Sequence, residues 1–176
     1  LFTLCGEWDE ARRLADEAEA LAVEQGLDLW RSMAQAERGI CLLGSGHGTT
    51  GLALLKSGYE GFAGTGARNV VPRYLALIAA GHLQVGQVVE AQQWLDRAQD
   101  HARDYGCYHY YPETLRLRGD LIIARDPQPE QPSAATIEAA CAAYQLALDD
   151  ARQRRAISWE RKILNSVARW KRTNEA

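Results

Sequence analysis

With 176 residues, 47% of them hydrophobic and 24% charged, the chain has the composition of a folded domain or a short repeat array, which excludes an intrinsically disordered segment. No apolar run approaches the roughly 20 residues that a membrane-crossing helix needs, which excludes a membrane partner. A net charge of −3 argues against a surface that tracks a nucleic-acid backbone, although the ends differ: residues 1–30 carry eight acids against two arginines, and residues 150–176 eight bases against three acids.

Leu1, Phe2 and Leu4 read as the tail of an apolar helix rather than a signal peptide with a basic start, so the expectation is a fragment of a longer protein. From Gly6 to Gly26, Trp8, Ala11, Leu14, Ala15, Ala18 and Leu21 recur at intervals of three and four, one apolar stripe on one helix. The spacing restarts at Gly46, Gly48 and Gly51 and again at Gly86, Val88 and Ala91, giving a period of 40 residues. A fourth copy, Ala135, Ile137 and Ala140, arrives nine residues late, after the proline-rich stretch Asp126-Pro127-Gln128-Pro129-Glu130-Gln131-Pro132, which reads as a loop insertion over 126–133.

Helices are predicted over 7–25, 28–44, 48–64, 69–84, 87–105, 110–125, 134–154 and 157–172. Gly26, Gly66 and Gly106 stand where helices would end, with Arg155 in that place in the fourth copy, and Pro72 and Pro112 fall in first turns, where a missing amide hydrogen costs nothing. No segment alternates as a strand would. The repeat divides the chain into a partial unit 1–26, units 27–66, 67–106 and 107–155, and a terminal helix 156–176.

Each copy places Gly or Ala at one site in its first helix and at two in its second: Gly39, Gly51 and Gly58; Ala79, Ala91 and Ala98; Gly119, Ala140 and Ala147; with Ala11, Ala18 and Ala168 in the partial copies. Small residues at a repeated site predict crossings where antiparallel helices come close. Arg38 and Arg118 precede two of these residues, where the other copies hold Ile78 and Val167; semi-buried arginines predict ion pairs with a neighbouring helix, with ligand binding as the alternative.

Gly6-x-Trp8-x-x-Ala11 with Ala18, and Gly119 ahead of Ala140 and Ala147, resemble the tetratricopeptide repeat signature. The resemblance implies an all-α fold of about eight helices, antiparallel hairpins stacked as a right-handed superhelix, with the first helix of each hairpin lining a concave groove. Two departures stand out: a period near 40 rather than about 34 residues, and no closing proline. In the second half, Tyr111-Pro112-Glu113-Thr114-Leu115-Arg116-Leu117-Arg118-Gly119-Asp120-Leu121 followed by Tyr144-Gln145-Leu146-Ala147-Leu148-Asp149-Asp150-Ala151-Arg152 is similar to the C-terminal repeats of large bacterial signalling proteins that carry an ATPase with an adenylate cyclase or a LuxR-like helix-turn-helix domain. That similarity implies a regulatory tail.

Candidate chemistry is sparse. Gly44-Ser45-Gly46-His47-Gly48-Thr49-Thr50-Gly51 is glycine-rich, but it follows a helix and lacks the lysine of a phosphate loop, so it reads as an inter-helix turn. His47, His82, His101 and His109 form no i, i+4 pair, and Cys5, Cys41, Cys107 and Cys141 lie 36, 66 and 34 residues apart; no metal, no cofactor and no catalytic triad is expected. Unpaired cysteines without a secretion signal favour the cytoplasm. Projected onto the implied groove, the first helices offer Arg73, Ala76 and Ala80, then Glu113, Arg116 and Asp120, then Lys162, Asn165 and Arg169, a partner-binding surface becoming polar and basic toward the C-terminus, with merely solvated charges as the alternative. Tyr108, Tyr110, Tyr111 and Trp159 read as packing between hairpins, with a contact platform as the alternative. The cluster from Arg152 to Arg172 reads as a solvated face or a seat for an acidic partner, not a nucleic-acid site.

The expectation is therefore a non-catalytic scaffold that binds a protein or peptide, possibly another domain of its parent chain; the alternative is a domain sensing a small-molecule effector. Self-association through the end helices, or acidic end to basic end, is also expected.

Overall fold

The computed structural model describes residues 6–173, with side chains described as far as Arg169; the apolar segment at Leu1, Phe2 and Leu4 lies outside them. Among the described residues there is no strand. Eight α-helices run α1 (Trp8–Glu24), α2 (Asp28–Gly44), α3 (Gly48–Gly64), α4 (Val71–Gln84), α5 (Val88–Tyr105), α6 (Tyr111–Ala124), α7 (Ala134–Gln153) and α8 (Ile157–Thr173), with a 3-10 turn at Tyr108–Tyr110. Each lies within two residues of its predicted span. None is long and apolar enough to cross a membrane.

The turns explain the regular beat. Gly6, Gly26, Gly46, Gly66, Gly86 and Gly106 stand 20 residues apart, all with φ between +65° and +86°, a left-handed conformation that ends one helix and redirects the chain into the next. Arg155 adopts φ +55° in the equivalent place after α7. The beat fails at position 126, where the insertion begins. There Asp126 closes the loop on itself: its carboxylate accepts from Gln128 N (2.9 Å), Ser133 N (3.1 Å) and Thr136 Oγ1 (2.5 Å). These bonds hold the Asp126 carboxyl below its usual range. Ser133 then caps α7, its hydroxyl accepting from Thr136 N.

Sequential helices pair as hairpins α2–α3, α4–α5 and α6–α7, with α1 packed on α2 and α8 on α7. The even-numbered helices also touch one another in succession, α2 to α4, α4 to α6 and α6 to α8, whereas α1, α3, α5 and α7 make no comparable contact among the described residues. The core therefore runs along the row. One apolar cluster extends from Ile40 and Leu55 through Phe62, Tyr74 and Ile78 to Leu117, and a second joins Ile137, Tyr144, Leu148 and Ile163. Burying a side chain such as Leu55 or Phe62 contributes roughly 1.5–3 kcal/mol.

All nine small residues of the three complete hairpins are buried. Their tightest use is in α2–α3. A Cβ on Gly39 would lie 2.7 Å from Leu55 Cα and 2.8 Å from the Gly51 carbonyl oxygen, and one on Gly58 2.8 Å from both Ala36 Cα and the Ser32 carbonyl oxygen. Backbone meets backbone there, so these mid-helix glycines serve packing; Gly44, the last residue of α2, likewise makes room for the Trp8 ring, 2.5 Å from where its Cβ would stand. Ala18 and Ala168 differ from the expectation and are exposed, because no further helix lies against those faces of α1 and α8 among the described residues.

Candidate functional site

The polar chemistry concentrates where α6 faces α8. Glu113, Arg116 and Asp120 lie on one stripe of α6, and Lys162, Ser166 and Arg169 on one stripe of α8, spacings that stack side chains on successive turns. Arg116 donates from Nε to Glu113 Oε2 (2.7 Å) and from Nη2 to Glu113 Oε1 (3.0 Å), a two-pronged pairing. Its Nη1 reaches Asp120 Oδ2 (2.5 Å) and Ser166 Oγ (3.1 Å). Lys162 Nζ donates to Glu113 Oε1 (2.8 Å), Tyr144 Oη to Asp120 Oδ1 (2.7 Å), and Arg169 Nη2 stands 3.6 Å from Asp120 Oδ1.

Glu113 is 2% exposed and Arg116 7%. Burial pushes the Glu113 carboxyl upward, but the charges of Arg116 and Lys162 outweigh it and hold the group below the usual carboxylate range. Burial raises the Tyr144 phenol well above its usual range, and the Asp120 charge adds to the effect. Two carboxylates face three cations, and most of their polar atoms are hydrogen-bonded to one another, which lets five charged side chains lie together at a helix interface.

Beside this network α4, α6, α8 and the proline-rich insertion line a cleft of about 400 Å³. Leu83 of α4, Leu117 and Ile123 of α6 and Pro129 of the loop supply its apolar surface. Arg116, Asp120, Arg169 and Glu130 supply its charge, so acidic and basic groups converge on one depression. The loop forms part of the wall because Asp126 ties its two ends together.

The structure distributes the groove residues read from the sequence as follows. Glu113, Arg116, Asp120, Lys162 and Arg169 meet in the network, and Arg116, Asp120, Arg169 and Ala80 line the cleft. Ala76, Glu113 and Arg116 are buried rather than projecting, since those positions turn toward neighbouring helices, while Asn165 is exposed. Arg73 sits apart, paired through both terminal nitrogens with Glu37 (2.5 and 2.9 Å), tying α4 to α2. Residue-by-residue reading missed that the charges satisfy one another, although Glu113-x-x-Arg116-x-x-x-Asp120 is the spacing of mutually pairing charges on a helix. Tyr144 and Ser166 carried no signal, since their roles arise only when α7 and α8 meet α6.

The predicted ion pairs of Arg38 and Arg118 are present: Arg38 reaches Asp16 (2.7 Å) and Glu19 of α1, and Arg118 reaches Asp96 and Gln99 (2.8 Å) of α5. The two sets stand 80 residues apart position for position, two full repeats. Between them Ile78 is buried and uncharged. Tyr110 meets Trp159 of α8 edge-on at 4.7 Å, a contact between one hairpin and the next helix, whereas Tyr108 and Tyr111 meet each other at 5.4 Å within one segment. His82 is buried with its ring stacked on Trp94 and Nδ1 2.7 Å from Gln87 Oε1. Burial pushes the Cys41 thiol up; Cys41, Cys107 and Cys141 are unpaired, and no cluster of three or more metal-ligating side chains forms among the described residues.

Comparison of the chain with models of protein families, with curated proteins and with solved structures finds no match.

Proposed function

We propose that this chain is a non-catalytic interaction module of tetratricopeptide type that docks a peptide segment of a protein partner on the face formed by α2, α4, α6 and α8. Contact confined to the even-numbered row is what an array curving toward that row produces, and it supports a concave face there. The observation that carries the binding reading is the cleft: apolar walls from Leu83, Leu117 and Ile123 beside Arg169 and Glu130, a combination able to seat an apolar side chain and read its charged neighbours. The Glu113–Arg116 network beneath gives this face a fixed floor, because those charges are committed to one another. A regulatory tail in a larger cytoplasmic signalling protein fits this reading.

The volume of about 400 Å³ also suits a small effector, the second reading. The cleft is broadly open, however, and a small ligand there would keep much of its surface in water, which favours a peptide.

The experiment is selection from a displayed library of short random peptides, followed by titration of the winners against wild type, Arg169→Glu and Glu130→Lys. Both substitutions fall on exposed side chains, and circular dichroism checks that each variant is folded, since Arg169→Glu sets a second carboxylate beside Asp120. Affinity should drop about tenfold or more in at least one variant, in keeping with the loss of a desolvated charge contact. Peptides that bind both variants as tightly as wild type would place recognition elsewhere.

A further inference from the structure

We propose that the docked peptide anchors in the cleft with a glutamine side chain, held as the protein's own Gln84 is held one repeat earlier. This rests on the peptide-docking reading and names the residue that enters the site.

The template lies within the chain. At the end of α2 the Leu43 carbonyl oxygen accepts two hydrogen bonds: one from Gly46 N (3.2 Å), which closes the turn, and one from Nε2 of Gln84 (2.9 Å), the last residue of α4. A carbonyl has two lone pairs, and the final carbonyls of a helix lack partners inside it, so a side chain from the next hairpin completes this one. One repeat later Leu83 stands in the place of Leu43, and Ala124, the last residue of α6, in the place of Gln84. The two turns are alike, with φ +86° at Gly46 and +75° at Gly86. The Leu83 carbonyl keeps its turn bond, from Gly86 N (3.1 Å), but Ala124 has nothing to donate, and no other side chain donates to that oxygen among the described residues. Where the carboxamide stood in the earlier repeat there is now open space: Leu83 and Ala124 both line the cleft of about 400 Å³.

The remaining wall agrees with a neutral side chain that is apolar along its stem and polar at its tip. Leu83, Leu117 and Ile123 offer apolar surface to two methylene groups. Arg116 and Arg169 stand with Asp120 and Glu130, two charges of each sign, so the lining has no net charge with which to draw a lysine, an arginine or a glutamate. A carboxamide both donates and accepts, so it can serve the Leu83 carbonyl and still meet a charged rim. Leucine would fill the apolar part and leave that carbonyl without its second donor.

Two measurements test this, the first without any peptide. In nuclear magnetic resonance of Ala124→Gln, the introduced carboxamide protons should exchange with solvent as slowly as those of Gln84 and more slowly than those of exposed Gln93. Exchange as fast as at Gln93 would overturn the proposal whether or not peptides bind. The second titrates peptides selected against wild type. They should share one glutamine, and its replacement by glutamate or by leucine should each lower affinity about tenfold or more. Folded Ala124→Gln, whose own side chain fills the place, should bind the unaltered peptides about tenfold more weakly or worse. Three results would overturn the glutamine anchor while leaving docking in place, provided affinity still falls with Arg169→Glu or Glu130→Lys: peptides that tolerate replacement of every glutamine, peptides that depend instead on a lysine, arginine or leucine, or undiminished binding to Ala124→Gln. A library that yields no binder would remove the docking reading and the anchor with it.

Discussion

The α2–α3 hairpin and the α6–α7–α8 end solve the same packing problem in opposite ways. At Gly39, Gly51 and Gly58 the small residue lets two backbones touch, and the contact is apolar. At Gly119, the equivalent of Gly39, a Cβ would instead stand 2.6 Å from ring atoms of Tyr144, so the glycine admits an aromatic side chain whose hydroxyl reaches Asp120. Leu55 occupies the place of Tyr144 in the earlier hairpin, and Ile40 that of Asp120. One repeat register thus hosts a dry backbone contact near one end and a buried ion network near the other. A conserved geometry of the backbone does not oblige a shared chemistry of the side chains, and the array gains its polar face where the network sits.

The largest effect should come from breaking the network. Glu113→Ala leaves Arg116 buried with half its partners gone and should cost about 3–5 kcal/mol in urea unfolding, whereas Glu113→Leu combined with Arg116→Met should recover most of that loss. Acid should act on the same group. The Glu113 carboxyl titrates below its unfolded value, so its contribution is present above about pH 4.3 and is lost as pH falls through the lower folded value. The melting temperature of wild type should therefore fall more steeply between about pH 5 and pH 2 than that of Glu113→Gln.

The glycine-packed hairpin should be next. Gly58→Val pushes a branched side chain into the Ala36 and Ser32 backbone and should cost about 1–3 kcal/mol or more by overpacking, with no added dependence on pH. Smaller still, Tyr144→Phe removes the hydrogen bond to Asp120 while keeping the ring against Gly119, and should cost about 1–2 kcal/mol by the same unfolding measurement.

These contrasts mark what the sequence makes legible. Helix positions, the place of the insertion and the ion pairs of Arg38 and Arg118 follow from periodicity, because each depends on one helix or on one fixed offset between neighbours. The cleft was half visible: Arg116, Asp120 and Arg169 share a face by helical spacing, but Glu130 reaches that face only because Asp126 folds the insertion back. Burial of Ala76 and Arg116 escaped the reading because a projected groove assigns one angular position per residue and takes no account of how far the neighbouring helix overlaps it. The exposure of Ala18 and Ala168 escaped it for the complementary reason: a small residue marks a site for close approach whether or not a partner is present.

Native-state hydrogen exchange on wild type and Glu113→Gln tests the contrast between the two ends most directly. In an array stabilised neighbour by neighbour, loss of the network should speed exchange of the α6, α7 and α8 amides while α2 and α3 keep their wild-type protection. An equal loss of protection in all of these helices would show that the glycine contact and the ion network belong to one cooperative core, and would contradict the division drawn between them.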